Sequence, residues 1–331
     1  MTPMLTGGHI MKARQPVILN DQQGTWISWL GDSIRYTALG ADTGGCYAFS
    51  TGRVLVGAGP QPHRHSFEEA FFVVRGELSF TAGNRTLIVP ANGCISVQAE
   101  TAHFFKNTGP FEAEVIVLVA PAGFDRFQAE AGEKLTGPDA PISINPSEFI
   151  ARMTSAAPKY GIDLNPPSSA FREPPSIKVT MPSEGRTIAV VGDVYRFLAT
   201  GHDTNGKYAM WEAIVPPGGG PPPHVHSREE EGFYILEGEI TFQVGEQRVA
   251  ATAGMFANMP VGTPHSFRNE SKKPARMLIF VSPAGVEQMF FEVGVPLADG
   301  ATTALPPTKA EIEKLLEVAP RYGIEIKLPG H

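Results

Sequence analysis

The chain has 331 residues, a formal net charge of −7 and a hydrophobic fraction of 42%, so it has length for two domains, each able to bury a core. No basic stripe accompanies that charge, which argues against a nucleic-acid partner. No apolar run reaches the ~18 residues of a membrane span.

Taken in order, residues 1–25 read as a polar arm with Gly and Pro and little periodicity. The stretch Met1–Arg14 has no long apolar centre, so it is not read as a secretion signal, and the expected compartment is the cytoplasm. Ordered structure is expected from Trp26–Leu30. Gly31-Asp32-Ser33-Ile34-Arg35-Tyr36 then finds a match in Gly192-Asp193-Val194-Tyr195-Arg196-Phe197, and Gly44-Gly45 and Asn205-Gly206 are turn signals at matched places. Strands are expected over Tyr47–Val56 and Tyr208–Val215, over Ala70–Val74 and Phe233–Leu236, and over Val115–Ala120 and Arg276–Val281. Each half closes on a helix. Asn145-Pro146-Ser147-Glu148 and Thr308 with Glu311 carry capping-box spacing, with Ile150 and Met153, and Ile312, Leu315 and Leu316, as apolar stripes. Gly161 and Gly323, each in a Tyr-Gly-Ile, are the stop signals. Leu164–Pro175 reads as a linker. The 35 Gly and 30 Pro fit many short strands joined by tight turns.

Chemistry concentrates between Gly218 and Asn269. His224 and His226 are two apart in a strand-rich context and so share a face. Glu231 follows five residues after His226, and His265 belongs to another strand. Three neutral nitrogens and one carboxylate suit a first-row divalent metal with positions left open. A lone His-x-His is more often a surface or satisfied core pair. Here the set recurs: His63 and His65 stand at one offset from His224 and His226, and Glu69 and His103 at an offset one residue longer from Glu231 and His265. Cys46 and Cys94 have no counterparts in the repeat and read as separate buried thiols, which fits a reducing compartment.

Residues 218–238 and 254–269 resemble the two motifs of the cupin superfamily, G-x5-H-x-H-x3,4-E-x6-G and G-x5-P-x-G-x2-H-x3-N. Residues 57–76 fit the first motif. Residues 93–107 fit the second loosely, with a Gly93-to-His103 interval one residue short and Ala99 and Thr101 at the usual Pro and Gly positions. The expected fold is therefore all-β: two tandem jelly-roll β-barrels, each with a C-terminal helix, over residues 1–165 and 166–331.

By this resemblance the metal ligands are His63, His65, Glu69 and His103 in one centre and His224, His226, Glu231 and His265 in the other, giving two metals per chain. Iron, manganese, nickel, cobalt, copper and zinc are all admissible. Alternation places Phe71 and Phe233 on the face of the glutamates, and Phe105 and Phe267 on the face of His103 and His265. Phe80 and Phe242 occupy matched places on the returning strands. These six are candidate substrate-pocket residues, with plain core packing as the competing reading. The double layout is similar to the quercetin 2,3-dioxygenases, which implies a small aromatic, oxygen-chelating substrate, O2 as co-substrate, and Glu69 and Glu231 as general bases. The alternatives are a non-oxidative metal enzyme (isomerase or decarboxylase) or a pirin-like binding or regulatory bicupin. A homodimer is expected, since barrels leave open sheet edges and the N-terminal arm can add a strand to one.

Overall fold

A computed structural model describes residues 14–327. Two β-barrels of matching topology fill it. The larger sheet of the first runs Lys134–Leu135, Thr25–Trp29, Asp32–Ala38, Ala48–Val54, Ala113–Ala120, Glu68–Arg75, Cys94–Val97 and Ile177–Thr180. Facing it are His103–Lys106, Glu77–Ala82 and Arg85–Pro90. In the second barrel the larger sheet runs Val17–Leu19, Phe256–Met259, Glu230–Glu237, Ala275–Ser282, Ala209–Val215, Asp193–Ala199, Thr187–Val190 and Val295–Pro296. Its partner sheet holds Gln247–Thr252, Glu239–Val244, His265–Arg268, His224–His226 and Ile324–Ile326.

The barrels exchange edge strands. Val17–Leu19, ahead of the first barrel, pairs antiparallel with Phe256–Met259 of the second, Val17 opposite Asn258. Ile177–Thr180, beyond the Pro-rich stretch, pairs with Cys94–Val97 of the first, Ile177 opposite Val97. A segment of the expected arm and one just past the expected linker thus each cover an edge in the same chain that would otherwise expose unpaired N–H and C=O groups. Part of the arm, residues 1–13, lies outside the described residues.

Alternation along the strands divides two cores. Phe49, Phe72, Tyr47 and Ala70 of one barrel and Phe280, Phe256, Tyr208 and Met210 of the other point outward from their sheets into a shared buried cluster. Phe49 stacks on Phe280 with centroids 4.9 Å apart. Two polar links cross the same seam, Tyr47 Oη donating to Asn258 Oδ1 and a hydroxyl bond between Ser96 and Tyr208. The alternate residues, such as Ala209, Trp211, Ala213 and Val215, face the barrel interior.

The C-terminal helices are Pro146–Ala156, capped by the Asn145 side chain on Glu148 N, and Lys309–Val318, with a complete Thr308–Glu311 capping box. Each passes through a short 3₁₀ turn to a left-handed glycine, Gly161 or Gly323. Their apolar faces differ from the stripes expected. Leu315 is buried as expected, but Ile150 and Ile312 are exposed, and Phe149, Ala156 and Val318 are buried instead. Two further helices, Phe124–Ala131 and Glu287–Val293, follow the Pro-Ala-Gly turns; neither has a side-chain cap, so they lack the signal that exposed the other pair. Cys46 and Cys94 are free thiols. None of the described helices is long and apolar enough to cross a membrane.

Candidate metal centres

Four strands bring each His/Glu set together. His63 and His103 exchange backbone hydrogen bonds, His63 N to His103 O at 3.0 Å and His103 N to His63 O at 2.8 Å. His224 is likewise opposite His265. His65 pairs with Ile162 and His226 with Ile324, the residues that follow the left-handed glycines. Glu69 and Glu231 come from the central strands Glu68–Arg75 and Glu230–Glu237, opposite Val97 and Met259.

The loop ahead of each histidine pair must pass close to the strand that carries the third histidine. A Cβ on Gly59 would lie 2.0 Å from Phe105 O, and one on Gly220 2.1 Å from Phe267 O, so only glycine fits. The motif asparagines are structural. Asn107 Nδ2 donates to Val54 O and Phe111 O, and Asn269 Nδ2 to Val215 O and Lys273 O, which ties the end of each strand to its neighbours.

The second motif of the first barrel is geometrically complete. Asn92 N donates to Val73 O as Gly254 N donates to Ile235 O, and Glu100 N donates to His65 O as Gly262 N donates to His226 O. Asn92 and Glu100 take positive φ, 66° and 65°, like the two glycines they replace. The short interval counted from Gly93 is therefore a register effect: the residue equivalent to Gly254 is Asn92, and Asn tolerates the left-handed region.

Within each set the donor atoms all lie within 4.8 Å of one another. Glu69 Oε2 is 2.8 Å from His65 Nε2 and 3.3 Å from His103 Nε2. Glu231 Oε2 is 2.9, 3.1 and 3.9 Å from the Nε2 atoms of His265, His226 and His224. Tautomers follow from the other ring nitrogen. Nδ1 of His63, His65, His103, His224 and His265 faces the backbone oxygen of Gln61, Phe67, Thr101, Pro222 and Thr263 at 2.8–3.0 Å. A carbonyl only accepts, so each Nδ1 carries the proton and each Nε2 turns a lone pair inward. The sixth, His226, places Nδ1 3.3 Å from Glu229 Oε2, a second carboxylate with no signal in the motif. Lone pairs of three nitrogens and a carboxylate thus converge on one point in each barrel, and His103 Nε2 is buried without a hydrogen-bond partner. A cation is what such a convergence accommodates, and the donor set fits a divalent first-row metal.

Electrostatics agree. Burial, reinforced by His103, lowers His63 to about 3, and burial also lowers His224, so both are neutral ligands at neutral pH. Burial pushes Glu69 up, but the His103 and His65 imidazoles beside it outweigh burial and hold the carboxyl below its usual range. Glu231 is also held well below, the charge of His226 prevailing over burial. For His226 burial acts downward, while Glu231 and Glu229 together lift it to about 9, so a metal bound there would have to displace its proton.

A cavity opens on each set, and the two are unlike. The first, about 350 Å³, reaches His63 and Glu69 and is lined by Phe71, Phe105, Trp29, Phe124 and Phe127 among others. The second, about 60 Å³, reaches His224, His226 and Glu231, with Phe267, Trp211 and Tyr195 on its walls. Of the six candidate pocket phenylalanines, Phe71, Phe105 and Phe267 line cavities; Phe80, Phe233 and Phe242 are fully buried outside the linings, in the barrel cores. Phe80 packs flat on His103, centroids 5.8 Å apart. Residue-by-residue comparison of the repeats, rather than motif matching, is the signal that reveals Ser50 against Trp211 and Ile34 against Tyr195 on the two cavity walls.

A family profile described as a cupin domain matches residues 51–119 and again 211–281. The chain carries two cupin domains. This bicupin is 30% identical over 112 residues to a quercetin 2,3-dioxygenase of Bacillus subtilis (strain 168), a match covering 34% of this chain and 31% of that protein. It therefore spans about a third of that relative's length. Among solved structures, a variant of B. subtilis oxalate decarboxylase superposes with a TM-score of 0.55 at 16% identity, covering 81% of this chain and 77% of that one. AerE from Microcystis aeruginosa gives 0.52 at 12% identity, covering 79% and 98%. These two likenesses show the fold. The bicupin thus holds two His/Glu clusters able to bind metal, one in each domain.

Proposed function

We propose that this bicupin is a metal-dependent dioxygenase that opens a flavonol-like or catechol-like aromatic with O2. The observation that carries the reading is the cavity of about 350 Å³ over the His63, His65, Glu69 and His103 set, walled by Trp29, Phe71, Phe105, Phe124 and Phe127. That volume falls in the range of pockets that bury a drug-sized ligand, roughly 300–1,000 Å³. Apolar walls leading to a metal-binding set of nitrogen and oxygen donors favour a flat aromatic whose hydroxyl and carbonyl oxygens would meet the bound metal. The partial match to a quercetin 2,3-dioxygenase supports the same class.

A divalent metal held by these ligands supplies Lewis acidity and, when redox-active, a route for electrons to O2. The chain does the rest. The Nδ1–carbonyl bonds fix the imidazole planes, so the donor set is preorganised. The aromatic walls keep water from the reacting ring. Glu69 takes the proton of the substrate hydroxyl. The His103 and His65 imidazoles beside it hold its carboxyl below the usual range, so it stands ionised and able to accept that proton.

The reading includes a homodimer, by family resemblance, and a reducing compartment, by the two free thiols. Light scattering at micromolar concentration tests the first. Oxygen uptake on mixing with quercetin tests the activity, since an isomerase, a decarboxylase or a binding protein consumes no O2.

A further inference from the structure

The two barrels superimpose strand for strand in sequence, yet their cavities measure about 350 and about 60 Å³. Three matched positions account for much of the difference. Ser50 is the third residue of Ala48–Val54, and Trp211 the third of Ala209–Val215. Ile34 and Tyr195 are the third residues of Asp32–Ala38 and Asp193–Ala199. Gln128 and Phe290 follow the Pro-Ala-Gly turns at equal distance, on the helices Phe124–Ala131 and Glu287–Val293. In the second barrel the three large rings touch: Tyr195 to Trp211 at 6.0 Å, Trp211 to Phe290 at 5.4 Å and Tyr195 to Phe290 at 5.2 Å between centroids. Ile34, Ser50 and Gln128 leave the same volume open in the first barrel.

We propose that the two metal centres divide ligands by size: the first admits an aromatic chelator, and the second, closed by Tyr195, Trp211 and Phe290, admits only a ligand with acceptor atoms and about two to four non-hydrogen atoms. The size argument is independent of the dioxygenase reading, on which it rests only for the identity of the aromatic. At ~30 Å³ per water, the second cavity holds little more than a pair of waters. Its polar walls define the chemistry. Trp211 Nε1, a donor only, is buried without a partner, and so is Asp193 Oδ1. The first-barrel counterpart, Asp32, is paired to Arg53 at 2.9 Å; at the place of Arg53 the second barrel has Ile214. With no cation beside it, burial raises Asp193 to about 8, so its carboxyl keeps a proton to donate. Two donors facing a cavity that ends on the His224, His226 and Glu231 cluster suit a small anion or O2.

The test uses cobalt(II)-loaded protein kept anaerobic, with visible absorption as readout. His103→Ala leaves the second centre alone to bind metal, and His265→Ala the first. Azide, three atoms long, should perturb the cobalt bands of both variants. Tropolone, a compact aromatic oxygen chelator, should perturb those of His265→Ala and bind His103→Ala at least about 100-fold more weakly. Adding Trp211→Ser to His103→Ala should recover tropolone binding by about tenfold or more, and adding Ser50→Trp to His265→Ala should lose it. Tropolone binding to His103→Ala within about tenfold of the first centre overturns the proposal, as does failure of metal-loaded Trp211→Ser to gain any. Selective tropolone binding in a protein that takes up no O2 with quercetin would retain the size division and refute the dioxygenase reading instead.

Discussion

Arg276 of the second barrel donates from Nη2 to Asn92 Oδ1 of the first at 2.9 Å, so the turn that stands in for a motif glycine is anchored across the domain seam. The same guanidinium and that of Arg196 flank the buried Glu212 carboxylate, Arg276 Nε at 2.7 Å and Arg196 Nε at 2.8 Å. Glu212 thus neutralises two cations, of which Arg196 is nearly inaccessible.

Replacing Glu212 with Ala leaves those cations without their shared partner. Breaking a buried pair from one side costs about 3–5 kcal/mol. The expected outcome is a loss of that size in chemical denaturation, with metal content per folded chain unchanged. A change under about 1 kcal/mol would mean that water already screens the network.

Asp193 predicts a pH dependence of opposite sign to that of an ion-paired carboxylate. Its folded value of about 8 lies above the ordinary 3.8. The folded state therefore binds more protons than the unfolded state between these values, and stability from this group is full below 3.8 and falls as pH rises toward 8. Asp193→Asn removes the titration. Melting temperatures from pH 5 to 8 should decline less steeply in the variant, and the variant should gain most at pH 8. Parallel curves would contradict the assignment.

Gly232 occupies the place that Ala70 holds in the first barrel, but a Cβ there would lie 2.2 Å from the Phe280 ring. Phe280 is locked between Phe49 and Tyr47 and cannot swing away. Gly232→Ala should destabilise by the 1–3 kcal/mol typical of overpacking, about the same sign and scale as other core insertions. Ala70→Gly, its mirror, should cost less. Equal melting temperatures for wild type and Gly232→Ala would show that the seam relaxes.

Much of the molecule was legible because its signals are local. The histidine pairs, the glutamates and the capped helices at Asn145 and Thr308 rest on spacing and on side chains that satisfy their own backbone. What escaped depends on partners far along the chain. The exchanged strands Val17–Leu19 and Ile177–Thr180 have no period of their own, and pairing with the opposite barrel defines them. Asn92 escaped because a glycine next to it satisfied the motif by eye, whereas backbone φ chose the asparagine. Ile150 looked like a core residue in a helical stripe, but the helix turns Phe149 inward instead.

Glu69 separates base from ligand. Glu69→Gln keeps the size and an oxygen donor but removes the proton acceptor. Turnover should fall by about 10²–10⁴-fold with metal content held, and Glu231→Gln should leave turnover of a bulky aromatic largely intact. Full activity in metal-loaded Glu69→Gln would reduce that glutamate to a structural ligand.

Oxygen uptake by anaerobically purified, metal-loaded protein on addition of quercetin reads the central claim most directly. Wild type and His265→Ala should consume O2 as the flavonol absorption disappears, and His103→Ala, without the first centre, should not. Metal-loaded wild type that leaves both quercetin and O2 untouched would contradict the account.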